Sequence, residues 1–175
     1  MKKVLRIVPI VLVVLILIPI GFRVTKGVKK RLDYPNSYAI QNIQTGKNIR
    51  VKNADYHDNA KTILYPHQNW ECMTWEFIQI EDSTFLLKNL YTQKTFEPVS
   101  TLAEGITLWQ KPLGGGKYQY WEFFKQTDDS FLIRLKGTEL YVTISSEEDN
   151  SEIILMPKDN SEKQKWRLIR QTPWI

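Results

Sequence analysis

Apolar and polar residues alternate in short runs along most of this chain. Runs such as Phe85-Leu86-Leu87-Lys88-Asn89 are rich in Ile, Leu, Tyr and Phe and are bounded by Gly, Asn, Asp or Ser. This pattern is typical of strands joined by tight turns. No stretch after residue 36 places apolar residues at helical spacing over three turns. The pattern therefore predicts an all-β domain.

Three tryptophans mark a repeat within this pattern. Trp75, Trp121 and Trp166 are separated by 46 and 45 residues. Each is preceded by an apolar run, a polar turn and an opening strand, so each unit of about 45 residues holds four short strands. A fixed period of this length indicates a repeat architecture.

Twelve strands in three groups, each with one large aromatic, predict a closed barrel capped by hairpins, because closure removes unpaired strand edges. We therefore predict a β-trefoil over residues 37–170, followed by a short C-terminal tail at 171–175. Alignment of the apolar runs places three leucines in register. The predicted repeat core comprises Trp75, Trp121, Trp166, Leu64, Leu108 and Leu155.

Residues 4–22 are apolar except for Arg6. At about 1.5 Å per residue this stretch extends roughly 28 Å as a helix, close to the hydrocarbon thickness of a bilayer. We predict one transmembrane anchor or signal-anchor at 1–22 and a basic linker at 23–36; a cleaved signal peptide is the alternative. Three cations precede the segment and five follow it, a count that favours a cytoplasmic trefoil. Translocation of a short tail with three cations and a free amine is also unfavourable, and we expect the trefoil to lie outside the cytoplasm.

The positive charge of the chain lies almost entirely near its N-terminus. Residues 1–31 hold eight of the 24 Lys and Arg and none of the 19 Asp and Glu, so the remainder carries a net charge of −3. Nucleic acids are bound by cations placed against phosphates. The trefoil is therefore not expected to bind nucleic acid, whereas the anchor would bind a membrane.

Few residues are suited to catalysis or to binding a metal. Cys72 is the only cysteine, and His57 and His67 are the only histidines, at no spacing known for zinc sites. The adjacent carboxylates at Glu147 and Glu148 are typical of a solvated turn rather than of a glycosidase pair. We expect no cofactor, no metal and no enzymatic activity.

The repeat tryptophans carry a resemblance to a known family. Gln119-Tyr120-Trp121 and Gln164-Lys165-Trp166 match the Gln-x-Trp ending of ricin-type β-trefoil lectin repeats, and Met73-Thr74-Trp75 keeps the tryptophan. The resemblance covers Ser37 to about Arg170. It implies a β-trefoil and carbohydrate binding.

A sugar site in such a repeat needs a carboxylate, an aromatic ring and amides, which bind vicinal hydroxyls and the apolar face of a sugar. The resemblance assigns these roles in the second unit to Glu97 for the acid, Trp109 for the ring and Gln119 for an amide. Tyr118 stands where an asparagine is usual. The second unit is thus the one sugar site we predict.

The other two units depart further from the family pattern. The corresponding positions are Arg50, Tyr65, Cys72 and Met73 in the first unit and Tyr141, Met156, Lys163 and Gln164 in the third. Two functions follow: a membrane-anchored carbohydrate-binding module with at most one site, or a non-lectin trefoil that binds a protein partner or acts as a scaffold.

Overall fold

The computed structural model describes residues 34–114 and 116–173. Three short 3-10 helices span Lys52–Ala54, Glu71–Met73 and Glu162–Gln164. The twelve strands are β1 (Ser37–Asn42), β2 (Asn48–Val51), β3 (Thr62–Tyr65), β4 (Trp75–Glu81), β5 (Thr84–Asn89), β6 (Thr95–Pro98), β7 (Ile106–Lys111), β8 (Tyr120–Lys125), β9 (Phe131–Leu135), β10 (Leu140–Ile144), β11 (Ile153–Pro157) and β12 (Lys165–Arg170).

Six of these strands form a closed barrel, and the other six form a cap. The barrel follows the antiparallel order β1-β4-β5-β8-β9-β12 and returns to β1. The hairpins β2–β3, β6–β7 and β10–β11 cover one end and contact one another through β3, β7 and β11. This is the β-trefoil predicted from the repeats.

The predicted anchor at residues 1–22 lies outside the described residues, as does most of the linker. Within residues 34–114 and 116–173, no helix has the length and apolar character needed to cross a bilayer.

The core lies where the barrel meets the cap. All six side chains predicted for the repeat core are fully buried. Phe96 joins them and packs edge-on against Trp75, with ring centroids 4.9 Å apart. The indole Nε1 of Trp75 donates to the carbonyl of Ile49 at 3.3 Å, and that of Trp166 donates to the carbonyl of Val142 at 2.9 Å.

The cap hydrogen bonds fix which residues are equivalent in the three units. One turn residue per unit adopts a positive φ and donates its amide to a carbonyl of a neighbouring unit. The three bonds are Asn150 N to Leu64 O at 2.8 Å, Asn59 N to Gln110 O at 2.9 Å and Gly105 N to Leu155 O at 2.8 Å.

Gln110, not Leu108, is therefore the second-unit equivalent of Leu64 and Leu155, and the predicted leucine register is wrong by two residues. Gln110 is fully buried, and its amide donates to the carbonyls of Asp55 and His57 at 3.0 and 2.7 Å. Buried donors are usually hydrogen-bonded in this way, while the Oε1 of Gln110 has no hydrogen-bond partner among the described residues. The second unit thus uses an amide where its neighbours use leucine.

The segment after β12 packs onto the first unit. Gln171 is buried; its side chain accepts from the hydroxyl of Thr74 and donates to the carbonyl of Gln68 at 3.0 Å. The carbonyl of Thr172 accepts from Asn69 at 3.0 Å. Residues 171–173 therefore belong to the folded domain, although the sequence predicted only a tail there.

Candidate functional site

The strand pairing locates the position that the resemblance assigns to a carboxylate. In the second unit Gln119 Nε2 donates to Glu97 Oε2 at 3.0 Å, and in the third Gln164 Nε2 donates to Thr143 Oγ1 at 3.2 Å. Thr143, rather than Tyr141, is therefore equivalent to Glu97. The three equivalent cross-strand pairs are Arg50–Ile63, Glu97–Trp109 and Thr143–Ile154.

The same pairing moves the expected ring position. Trp109 is equivalent to Ile63 and Ile154, whereas Lys111 is the second-unit equivalent of Tyr65. The assignment of Trp109 to the family's ring position is thus wrong by two residues, for the same reason as Leu108. Trp109 nevertheless lies directly across from Glu97, and directly opposed residues of an antiparallel pair share one face.

Gln119 holds the carboxylate of Glu97 in position. It is 3% exposed, and besides Glu97 its Nε2 donates to the carbonyl of Pro112 at 3.0 Å. Its Oε1 accepts from the amide of Gly114 at 3.3 Å. A Cβ added to Gly116 would lie 2.9 Å from Glu97 Oε2, so the glycine-rich loop closes tightly over this pair. The carboxylate is therefore fixed in position.

Gln164 makes matching bonds in the third unit. Its Nε2 donates to the carbonyl of Pro157 at 2.7 Å, and its Oε1 accepts from the amide of Asp159 at 3.0 Å. The same bonds occur where no acid is present, so the glutamine of Gln-x-Trp ties its loop to the strand. In the second unit Gln119 positions Glu97 rather than offering its amide to a ligand.

The two aromatics of the predicted second-unit site are both half-buried. Trp109 has a buried Nε1 with no hydrogen-bond partner among the described residues, and the ammonium of Lys61 lies 6.0 Å from its ring centroid. Tyr118 packs against the core, with Lys117 Nζ 5.4 Å from its ring centroid. Trp109 thus offers an aromatic surface beside Glu97, whereas Tyr118 mainly supports the loop.

The first unit contains a cleft that the sequence did not predict. It has a volume of about 340 Å³ and lies between Arg50, Trp70 and Tyr91, with Ala54, Glu71 and Cys72 completing its lining. Arg50 is 8% exposed, and its guanidinium carbon lies 4.3 Å from the ring centroid of Tyr65 and 5.5 Å from that of Trp70. The sequence signal for this cleft is an arginine, Arg50, at a position that the family resemblance assigns to a carboxylate.

Cys72 does not carry reactive character in this cleft. It is buried, and burial raises the pKa of its thiol, although the positive charge of Arg50 acts in the opposite direction. A thiol with a raised pKa is a poor nucleophile because the thiolate is the reactive form. In the described part of the chain, no group of three or more His, Cys, Asp or Glu could hold a metal ion.

Comparison with known proteins places this architecture among solved β-trefoils. No family model matches the sequence, and no curated protein matches it. The designed threefold-symmetric protein ThreeFoil is similar with a TM-score of 0.74 and 20% identity, over 77% of this chain and 99% of that one.

Two natural proteins show the same likeness. The ricin B-like lectin of Macrolepiota procera, solved with lactose, gives a TM-score of 0.68 and 17% identity over 81% of this chain and 99% of that one. The exo-β-1,3-galactanase of Clostridium thermocellum gives 0.73 and 18% over 80% of this chain and 31% of that one. The chain thus has the β-trefoil fold of ricin B-like lectins.

Proposed function

We propose that this protein is a carbohydrate-binding module without enzymatic activity, held at a membrane by residues 1–22 with its trefoil outside the cytoplasm. The single observation that carries the proposal is the pairing of Glu97 with Trp109 on one face of the β6–β7 hairpin. A carboxylate beside an aromatic surface suits a sugar, which has hydroxyls on its edges and an apolar face.

The second-unit site has an unequal division of roles. Glu97 accepts hydrogen bonds from sugar hydroxyls, since a carboxylate can accept more bonds than the one it receives from Gln119. Trp109 contacts the apolar face of the sugar. Gln119 and Tyr118 keep the loop in place, which fixes the carboxylate before a ligand arrives and lowers the entropic cost of binding.

The lectin of Macrolepiota procera supports this proposal, because it shares the fold and was solved with lactose. A site in one unit offers no avidity within a single domain, so copies clustered on a membrane would increase the effective affinity. The competing function is a non-lectin trefoil that binds a protein partner or acts as a scaffold.

A glycan array followed by calorimetry on a selected neutral glycan tests the proposal. We expect Trp109→Ala and Glu97→Gln each to weaken binding about tenfold or more, since each removes an interaction worth about 1–3 kcal/mol. Ile154→Ala is the matched control, because Ile154 is the third-unit equivalent of Trp109 and has no acid opposite it. Binding that both second-unit variants leave unchanged would eliminate this site, and a folded domain that binds no glycan would favour the protein-interaction function.

A further inference from the structure

The cleft of the first unit holds a buried cation that lacks an acidic partner. Arg50 is 8% exposed, and in residues 34–114 and 116–173 no carboxylate oxygen lies within 4.0 Å of its guanidinium nitrogens. Its Nε donates to the carbonyl of Val51 at 3.2 Å. Buried charges in proteins are normally paired, so an arginine at the wall of a cleft indicates a site for an anionic group.

The lining of the cleft also includes one acid, Glu71. Glu71 lines the same space, and burial together with the negative charge of Glu71 raises the pKa of Tyr34, so this carboxylate also interacts with Tyr34. Glu71 lies close enough to the cleft to oppose an incoming anion without neutralising Arg50. The two residues therefore have opposite effects on the same ligand.

Two exposed rings complete the cleft. Trp70 is 44% exposed and Tyr91 is 49% exposed, and they come from different units of the repeat. Exposed aromatic rings around a cleft of about 340 Å³ suit the apolar face of a sugar, and small-molecule sites commonly have volumes of about 300–1,000 Å³. The planar guanidinium matches carboxylate and sulfate groups, to which it can donate two parallel hydrogen bonds.

We propose that this cleft binds an acidic saccharide, with Arg50 pairing with a carboxylate or sulfate on the sugar and Trp70 and Tyr91 contacting its ring. The saccharide class rests on the proposed function, whereas the requirement for an anion rests on Arg50. Residues 32–175 carry a net charge of −3, so general attraction does not favour a polyanion and recognition depends on this one cation.

The test uses the full-length chain in a detergent that has no sugar headgroup. Calorimetry compares an oligogalacturonate with its methyl ester, which keeps the ring and loses the charge. We expect the acid to bind about tenfold or more tightly than the ester, because hydrogen bonds to charged groups are the strong ones. Inorganic sulfate at equal concentration distinguishes a saccharide site from a simple anion site.

Four variants distinguish the contributions of the individual residues to binding. Arg50→Gln should remove the preference for the acid over the ester. Tyr91→Ala should weaken the binding of both ligands without changing the core. Glu71→Gln should strengthen the binding of the acid. Lys125→Gln is the matched loss of one positive charge, on the exposed end of β8, and should change nothing. Circular dichroism establishes that each variant is folded, and Tyr91→Ala keeps the test valid if Arg50→Gln unfolds.

The results either support or overturn the assignment. Equal binding of acid and ester, acid binding unchanged by Arg50→Gln and Tyr91→Ala, or full displacement by sulfate with no advantage for the saccharide would each overturn it. If the wild-type protein binds a neutral glycan through Trp109 but does not bind the oligogalacturonate, the assignment of the cleft is wrong and the proposed function is unaffected. No binding of either class would also remove the proposed function.

Discussion

Replacement of Gln164 by methionine tests whether the glutamine of Gln-x-Trp is a structural tie. Gln164 is fully buried, and its side chain makes three hydrogen bonds, to Pro157, Thr143 and Asp159, at 2.7–3.2 Å. Methionine has a similar length and can make none of them. The change should therefore affect the free energy of unfolding without leaving a large cavity.

Each lost bond should cost about 1 kcal/mol, and the orphaned carbonyl and amide add to this, while methionine recovers part of the loss through apolar burial. The net destabilisation should be about 2–3 kcal/mol, or a fall of roughly 10 °C in Tm for a domain of this size. Met73 occupies the same position in the first unit and is fully buried. The fold thus accepts an apolar residue two positions before the repeat tryptophan where the surrounding loop does not depend on hydrogen bonds from that side chain.

Urea denaturation followed by tryptophan fluorescence measures the change. Gln79→Met is the control, because Gln79 is exposed and makes one side-chain bond, to Asp82 at 3.0 Å; it should shift stability by less than about 0.5 kcal/mol. Gln119→Met should destabilise the domain like Gln164→Met and should also weaken neutral-glycan binding, since it releases Glu97. A Gln164→Met protein as stable as the wild type would refute the structural role.

Three further outcomes are expected. Trp121→Ala should destabilise the domain by about 3–5 kcal/mol in denaturant titrations, and an unchanged unfolding midpoint would contradict its place in the core. Hydrogen bonds from Ser130 and Lys165 hold the pKa of Asp128 well below its usual value, so its contribution to stability is present above about pH 4 and disappears as pH falls through the lower folded-state pKa. The Tm difference between wild type and Asp128→Asn should accordingly shrink on acidification, and a constant difference would contradict this. The full-length protein should stay in the membrane fraction after carbonate extraction at alkaline pH, whereas an N-terminus mapped between residues 22 and 36 would show cleavage.

The repeat period made the fold predictable, because Trp75, Trp121 and Trp166 each meet the core at the same point of a unit. Alignment of the apolar runs by hydrophobicity gives the wrong register in the second unit. Gln110 occupies a leucine position there and is stabilised by carbonyls of a loop far away in sequence. A proline lies nine residues before each repeat tryptophan and indicates the correct alignment of the three units: Pro66, Pro112 and Pro157.

The first-unit cleft could not be predicted for a different reason. Tyr91 belongs to the second unit and approaches Trp70 only through the fold. The packing of Arg50 on Tyr65 is likewise a contact between neighbouring strands rather than a sequence pattern. The residue types of the first unit alone therefore indicate only a departure from the family pattern, whereas the two units together form a cleft lined by a buried cation.

The barrel is closed by its first and last strands, so it cannot close during synthesis until β12 has been translated. β1 pairs with β12 through five consecutive residue pairs, from Tyr38–Arg170 to Asn42–Trp166. At about 5–20 residues per second, translation of the intervening chain takes on the order of 10 s, whereas a hairpin forms in microseconds. The hairpins are thus ready long before the ring can close. During that interval the edge of β1 that pairs with β12 remains unpaired. Resistance to proteases should therefore appear in a single step once β12 has been synthesised.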